Sequence, residues 1–243
     1  MFSIIQLLFF VAVVGHAAAE VPSYIQICGA RNPNLDDCVI KSVTGLHDKL
    51  RDGIPELEIP AGEPLIINQV VLADMPNFKA IGSNIKLSGL TNYRINHLHV
   101  DLKKQQVDID LTFPECRMEA IYNITAKILV PIVGKGPISL TAKNVNAIVK
   151  TSFKIVNHNG KRYIYFPTMT TRLNVKDFVV KFELTNFDKT LQEAVREALG
   201  SSHQEVLEAT TPNIEKAISE RCLELANKIC KHFTYDELFP DRE

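Results

Sequence analysis

Few side chains in this chain are spaced for catalysis. Ser202-His203 places a hydroxyl beside an imidazole, the pair that an esterase acting on a bound ester would use, but no G-x-S-x-G nucleophile elbow occurs. The position before a helix predicts instead that Ser202 is an N-cap residue. H-E-x-x-H, C-x-x-C, phosphate-binding and dinucleotide-binding motifs are also absent. We therefore predict a protein that is not an enzyme, with no catalytic residues and no cofactor.

Two histidines are the only metal-ligand candidates. His97 and His99 are two residues apart on a predicted strand and place two imidazoles on one face. A structural or catalytic metal needs at least one more protein ligand, and the sequence places none nearby. We predict no metal site.

The chain has five cysteines, and in an oxidising compartment some of them should pair. Cys28 and Cys38 flank a turn-forming stretch, so we predict a disulfide between them. Cys222 and Cys230 lie in one predicted helix, where the rise of about 12 Å prevents a bridge that needs Cα atoms within about 7 Å. Cys116 could bridge to one of them, and the odd count leaves at least one thiol free or paired between chains.

The first residues predict a secretory signal peptide, residues 1–19. An apolar run from Ile4 to Val14 is too short to span a bilayer, and Ala17-x-Ala19 supplies the small residues that signal peptidase requires. Residues 20–243 then form the mature chain, with no later stretch of transmembrane length and no linker that divides it. We predict one extracellular domain, without an integral membrane segment after cleavage.

The charge of the chain argues against a nucleic-acid partner. The 27 basic and 28 acidic residues give a formal net charge of −1, which offers no electrostatic attraction to nucleic acid or to an anionic membrane surface. Hydrophobic residues make up 46% of the chain. Without transmembrane segments, this apolar content must lie in a core or line a cavity.

One N-glycosylation sequon is present, Asn123-Ile124-Thr125. Asn123 falls on the same strand face as Glu119 and Lys127, the polar side of the alternating pattern. We predict that Asn123 is exposed and glycosylated.

Helical and strand patterns follow one another along the chain. Apolar residues recur at helical spacing over 35–51, with Asp36-Asp37 as the capping residues. From 60 to about 187 the period changes to two, clearest over 107–113 and 118–130. At about 3.3 Å per residue, the strand 118–130 reaches about 43 Å and must twist and curl.

Further strands are predicted over 145–156, 162–166 and 178–184. Gly134–Pro137 and Asn157–Gly160 carry turn residues that would join neighbouring strands as hairpins. The sheet should therefore be antiparallel.

The last quarter of the chain returns to helical spacing. A first segment spans Leu191 to Leu199, and a second runs from about Ser202 to Phe233, with Pro212 expected to kink or restart it. At about 1.5 Å per residue the second helix spans around 46 Å, close to the length of the long strands. Helix and curled sheet could pack a solid core or leave an apolar tunnel, and periodicity favours neither.

Several motifs, taken in order, resemble those of the insect takeout and juvenile-hormone-binding proteins. Each is weak alone, but their joint order is specific and covers the mature chain. They are Cys28…Cys38, Gly53–Pro55, Glu63–Leu65, Leu87–Leu90, Asn186–Lys189 followed by Leu191, Thr211–Glu215 and His232–Pro240.

The resemblance implies an α+β fold related to one half of the bactericidal/permeability-increasing proteins. In it, a long C-terminal helix is wrapped by a highly curved antiparallel sheet around an apolar tunnel. The hormone-binding branch has a second disulfide from sheet to helix; Cys222 matches the helix partner, but the strand near Met169 offers no cysteine. Thr151 and Phe153 fall near the polar anchor of that branch, and neither is tyrosine. The chain is thus closer to the takeout branch.

Inward-facing apolar residues, together with Thr151, are the candidates for the tunnel lining. The predicted lining residues are Phe113, Thr151, Phe153, Tyr165, Phe178 and Phe182.

The resulting hypothesis is a secreted, monomeric carrier of a small hydrophobic ligand, terpenoid or fatty-acid-like. Burial of such a chain is favourable by about 0.8 kcal/mol per CH₂, less ordering costs. The resemblance adds roles in hormone transport, feeding, behaviour or circadian output. The alternative is an extracellular signalling factor that acts through an unidentified protein receptor and has a vestigial tunnel.

Overall fold

The computed structural model describes residues 21–127, 131–183, 192–193 and 203–243. The predicted signal peptide, residues 1–19, and nearly all of the predicted helical segment from Leu191 to Leu199 lie outside the described residues. The described helices are α1 (Leu35–Gly45), α2 (His47–Asp52), α3 (His203–Cys230) and α4 (Tyr235–Leu238), with a 3₁₀ turn at Pro55–Leu57.

Seven described strands form one antiparallel sheet. They are β1 (Leu65–Met75), β2 (Phe78–Ser88), β3 (Arg94–Asp101), β4 (Gln106–Lys127), β5 (Pro131–His158), β6 (Lys161–Asn174) and β7 (Asp177–Phe182). Their order is β1-β2-β4-β5-β6, with β3 paired to β4 and β7 paired to β5. The predicted α+β class with an antiparallel sheet is confirmed.

A single kink line crosses the sheet. Along β4, a short gap separates the segment that pairs with β2 from the segment that pairs with β3. Along β5, a similar gap separates the segment that pairs with β7 from the segment that pairs with β6. The two gaps lie opposite each other in the β4–β5 pair. Inward-facing residues of β4 have odd numbers up to Phe113 and even numbers from Cys116 onwards, with the change at Pro114. Directly across, Asn144 of β5 has a φ of 49°. Such irregularities bend long strands while the ladder continues on both sides, which lets the sheet curl.

The predicted hairpin turn at Gly134–Pro137 is wrong. These residues lie inside β5, where Gly134 pairs with Ile124 and Gly136 pairs with Tyr122. A Cβ at Gly136 would lie 3.2 Å from the Tyr122 ring, so the glycine makes room for a cross-strand aromatic side chain. The pairing of β4 with β5 already begins at Lys127 and Pro131. The other predicted hairpin, at Asn157–Gly160, is confirmed.

The single N-terminal helix predicted from the sequence is two helices, which meet at Leu46. Asp36 does not cap the first one: the N-cap position is Asn34, with no side-chain hydrogen bond. Asp36 Oδ1 instead accepts the backbone N–H of Val100 at 2.8 Å, and its Oδ2 lies 2.9 Å from His99 Nδ1. Among the described strands, β3 pairs only with β4. The N–H groups on its other edge lack a neighbouring strand, and the Val100 N–H binds the Asp36 carboxylate instead.

The long C-terminal helix is continuous across Pro212 and does not restart there. The proline lacks an N–H and frees a carbonyl one turn earlier, at the exposed residue Glu208. Water can satisfy that carbonyl, which explains why the helix tolerates the proline.

The first described residues meet the C-terminal residues at one end of the sheet. The predicted disulfide joins Cys28 to Cys38, and the backbone N–H groups of Cys28 and Ala30 donate to the carbonyls of Leu238 and Pro240. Beneath them lies an apolar cluster of Ile54, Leu57, Ile59 and Phe233. This cluster, which we call the basal plug, closes that end of the molecule.

Candidate ligand-binding interior

One helix reaches both edges of the sheet. Near the start of α3, Asn213 Nδ2 donates to the carbonyl of Leu72 in β1 at 2.9 Å. Two residues later, Glu215 Oε1 accepts the backbone N–H of Leu173 in β6 at 2.7 Å. Because β1 and β6 are the two ends of the strand order, the sheet must curl until both reach the same helix. The concave face of the sheet and α3 therefore enclose an interior.

Glu215 is the buried polar anchor of this closure. Its side chain accepts from the Arg172 guanidinium at 2.8 Å as well as from the β6 backbone, and the residue is 6% exposed. A carboxylate so placed is stable only when its oxygens are hydrogen-bonded, as these are. Glu215 thus holds the helix against the edge strand by backbone recognition as well as by charge.

Apolar side chains fill the interior beside α3. Ala217, Ile218 and Leu225 of the helix pack against a buried cluster on the sheet. That cluster consists of Leu65, Val70, Ile85, Leu87 and Ala120. At the C-terminal end of α3, Leu225 and Ile229 continue onto the basal plug. The helix turns one apolar side inward, as its 3.6-residue pattern predicts.

Most of the predicted lining residues face this interior. Phe113 is 8% exposed and lies in a second buried cluster at the kink line, against which Phe178 packs. Phe153 is 3% exposed. The ring of Phe153 meets that of Phe166 edge to face at 6.1 Å between centroids. The aromatic residues thus occupy two separate positions along the inner face.

Thr151 is also buried on the inner face. Its hydroxyl donates to the carbonyl of Thr168 at 2.7 Å. The hydroxyl hydrogen is therefore used in a hydrogen bond between β5 and β6, and the hydroxyl oxygen can only accept a further hydrogen bond.

Tyr165 does not share that face. It is 48% exposed and pairs with the exposed Lys154, so it lies on the outer side of the sheet. The inward-facing aromatic residue of β6 is Phe166, which sequence reasoning missed. The sequence feature that could have identified Phe166 is its two-residue spacing from Ile164, which is buried on the same face. Phe182 ends β7, opposite Ile138; its side chain lies outside the described residues.

An open groove of about 760 Å³ lies on the other side of the sheet. Five of its eleven lining residues form a transverse row across five strands: Ile66, Lys86, Glu119, Ser139 and Lys181. Because neighbouring residues of a strand point to opposite faces, this row faces away from the aromatic interior. We call it the outer groove, and it is distinct from the predicted tunnel.

The histidine candidates lie apart from any metal-binding cluster among the described residues. Within the described ranges, no three His, Cys, Asp or Glu side chains are grouped to hold a metal ion. His97 and His99 are both exposed, and His99 is paired with Asp36. Ser202 and the side chain of His203 lie outside the described residues.

Burial makes the free thiols weak nucleophiles. In the described part of the chain they are Cys116, Cys222 and Cys230. Burial raises the pKa of Cys116 to about 11 and that of Cys230 to about 12, and it also raises the pKa of Cys222. A thiol held protonated is a poor nucleophile, so these groups act as small apolar side chains.

A curled antiparallel sheet whose end strands β1 and β6 both contact one long helix over an apolar interior places this protein in the α+β class. None of the helices in the described ranges is long and apolar enough to cross a membrane. The chain belongs to the haemolymph juvenile hormone binding protein family, whose sequence profile it matches over residues 4–240.

Two relatives span most of the chain. It is 23% identical over 228 residues to the "Putative beta-carotene-binding protein" of Schistocerca gregaria, covering 90% of this chain and 89% of the relative. It is also 23% identical over 238 residues to the circadian clock-controlled protein daywake of Drosophila melanogaster, covering 92% and 90%. The crystal structure of Epiphyas postvittana Takeout 1 is similar in fold, with a TM-score of 0.74 and 20% identity over 89% of this chain and 100% of that chain.

Proposed function

We propose that this protein is a secreted, extracellular and monomeric carrier that holds one small hydrophobic, lipid-like molecule between the sheet and α3. The observation that carries the proposal is the closure of both sheet edges by one helix, through Asn213 on β1 and Glu215 on β6. The apolar inner face of a sheet closed in this way is a ready site for a lipid chain.

The inner face supplies the required chemistry. Phe113, Phe153 and Phe166 offer flat apolar surfaces to a chain of terpenoid or fatty-acid type. Each CH₂ transferred from water to such a site contributes about 0.8 kcal/mol before ordering costs. A chain of some 15 to 20 carbons at that value would bind with useful affinity.

The relatives support the same class of ligand. The Schistocerca gregaria relative is named for binding beta-carotene, a terpenoid hydrocarbon, and the family is named for a hormone. The name of the Drosophila melanogaster relative links that protein to circadian control. We extend these names to this chain as a proposed role in hormone transport, feeding, behaviour or circadian output.

The test is recovery of a ligand from the protein itself. The full chain is expressed in insect cells, purified from the medium, extracted with organic solvent, and the extract is quantified by mass spectrometry against protein. We expect one class of apolar compound at near one molecule per chain. Repeated recovery of empty protein that takes up no apolar probe would overturn the proposal.

A matched pair of variants locates the ligand. Phe153→Ala removes an inner aromatic ring, and Tyr165→Ala removes an aromatic ring on the outer face of the adjacent strand. We expect ligand recovery and apolar-probe affinity to fall in the first variant and to stay at the wild-type level in the second. Equal effects in both variants would exclude the interior as the site.

The second candidate is a signalling factor recognised by a protein receptor, with a vestigial tunnel. The outer groove favours it, because Lys86, Glu119 and Lys181 offer both signs of charge on an exposed face. This function predicts receptor association that does not change when the ligand is stripped. Loss of receptor binding on delipidation would instead favour the carrier.

A further inference from the structure

Thr171 is the exceptional polar residue of the interior. It lies on the inner face of β6, is 6% exposed, and pairs across the sheet with Val149. Its neighbours on the same face of the strand are Met169 and Leu173. These two neighbours and Val149 are apolar.

The hydroxyl of Thr171 has no hydrogen-bond partner among the described residues, whereas other buried hydroxyls do. Thr151 donates to the carbonyl of Thr168, and Ser219 donates to the carbonyl of Glu215. Among the described residues, the buried polar atoms that are shielded from water and have no partner are His47 Nε2, Arg221 Nε and His232 Nε2. The Thr171 hydroxyl oxygen is not one of these atoms, so a water molecule can still reach it.

The Thr171 hydroxyl is therefore free to donate a hydrogen bond to the oxygen of an incoming molecule that displaces water from it. On this side of the sheet β6 faces α3, because Glu215 of α3 binds the backbone of the next residue but one, Leu173. Thr151 lies diagonally across the β5–β6 pair from Thr171, since it pairs with Met169. The Thr151 oxygen can still accept a hydrogen bond, so the two side chains form one polar spot on an apolar wall.

We propose that Thr171 is a ligand-binding residue that donates a hydrogen bond to the oxygen of an oxygenated lipid, and that it selects such ligands over hydrocarbons of the same length. This inference rests on the proposed carrier function. The ligand class is a terpenoid or fatty-acid-like chain with a hydroxyl or carbonyl oxygen. A single polar spot fits one oxygen function, with the rest of the chain lying on the aromatic residues.

The test compares farnesol with farnesene, two probes with the same carbon skeleton of which only the first carries an oxygen. Each probe displaces a fluorescent naphthylamine dye from delipidated full-length protein. Thr171→Val keeps the shape of the side chain and removes the hydroxyl. We expect this variant to bind farnesol about five- to ten-fold more weakly and farnesene with unchanged affinity.

Two further variants make the result specific. Thr171→Ser keeps a hydroxyl and should retain farnesol affinity near the wild-type value. Thr170→Val makes the same change on the exposed face of the same strand and should alter neither affinity. Melting temperatures are recorded to show that all variants fold.

The outcomes separate the two proposals. Farnesol and farnesene bound equally by the wild type, with both affinities unchanged in Thr171→Val, would overturn the role of Thr171 and leave the carrier function standing. Equal weakening of both probes by Thr171→Val would overturn the hydrogen bond. A wild-type protein that binds neither probe nor the dye would overturn the carrier function itself.

Discussion

Asn227 pairs with both backbone polar groups of Phe166. Its Oδ1 accepts the Phe166 N–H at 2.8 Å, and its Nδ2 donates to the Phe166 carbonyl at 2.9 Å. Phe166 lies in β6, the edge of the main strand order, so a side-chain amide on α3 takes the place of the next strand. The same contact fixes the backbone of a residue whose ring faces the interior.

This pairing predicts a stability effect. Asn227→Ala leaves two half-buried backbone groups without their partners and should lower the free energy of unfolding by about 1–3 kcal/mol. Urea denaturation followed by circular dichroism measures the change. Asn92→Ala, on an exposed loop, is the control and should stay within about 0.5 kcal/mol of the wild type. Equal losses in both variants would refute the role of the pairing.

Two glycines predict opposite responses to alanine. A Cβ at Gly89 would lie 2.2 Å from the Glu115 carbonyl oxygen, and its φ is 88°. Gly45 ends α1, and a Cβ there would lie 4.0 Å from the Tyr24 carbonyl oxygen. Gly89→Ala should therefore cost about 2 kcal/mol or more, whereas Gly45→Ala should be neutral or stabilising by up to about 1 kcal/mol. An unchanged melting temperature for Gly89→Ala would contradict the close approach of Gly89 to the Glu115 backbone.

Two histidines should titrate on opposite sides of the ordinary value of 6.5. Burial lowers the pKa of His47, whose ring meets that of Tyr93 at 4.1 Å between centroids. The hydrogen bond and charge of Asp36 raise the pKa of His99. Titration by ¹H–¹⁵N NMR, with His47→Phe and His99→Gln for assignment, should place His47 below His99. The reverse order would contradict both environments.

The sign of each contribution to stability follows by linkage. For His47, the unfolded chain binds the proton more readily, so stability falls as pH drops from about 6.5 through the folded pKa. For His99, the folded protein binds the proton more readily, so the gain is complete below about 6.5 and is lost as pH rises through the folded pKa. His47→Phe should therefore weaken the loss of stability in acid, and His99→Gln should remove a gain.

The cysteines predict a defined thiol count. Burial of Cys116, Cys222 and Cys230 raises the pKa of each thiol, so the native protein at pH 8 should react slowly with a thiol reagent such as DTNB. In urea without reductant, the three free thiols should react at once. All five should react only after reduction of the Cys28–Cys38 disulfide. Five thiols in urea without reductant would exclude the disulfide.

The sequon predicts one N-linked glycan. Asn123 is exposed on the outer face of β4, in the same row as Ile81 and Lys135. Protein secreted from insect cells should lose mass on peptide-N-glycosidase treatment, and Asn123→Gln should migrate with the treated protein. Unchanged mass in the treated wild type would refute glycosylation.

Local patterns predicted the element types well because one face of this sheet lies against the apolar interior and the other faces water. Glu119, Asn123 and Lys127 are exposed in the structure, as the alternation indicates. The predictions failed where one residue type can have two structural roles. Glycine allows a turn, but it also makes room for a ring, as Gly136 does for Tyr122. Tyr165 was assigned to the wrong face because a register shift after Ser152 changes which residues of β6 face inward.

The sequence by itself determined the strand and helix periods, the pairing of Cys28 with Cys38, and the family motifs, because all of these depend on residues close in the chain or on their order. Only the tertiary structure decided which strands are the edges and that one helix closes them. That closure depends on curvature accumulated at Pro114 and Asn144, and on contacts such as Asn213 with Leu72 between distant parts of the chain. No local pattern records such a contact, since its two partners become neighbours only after the whole sheet has curled.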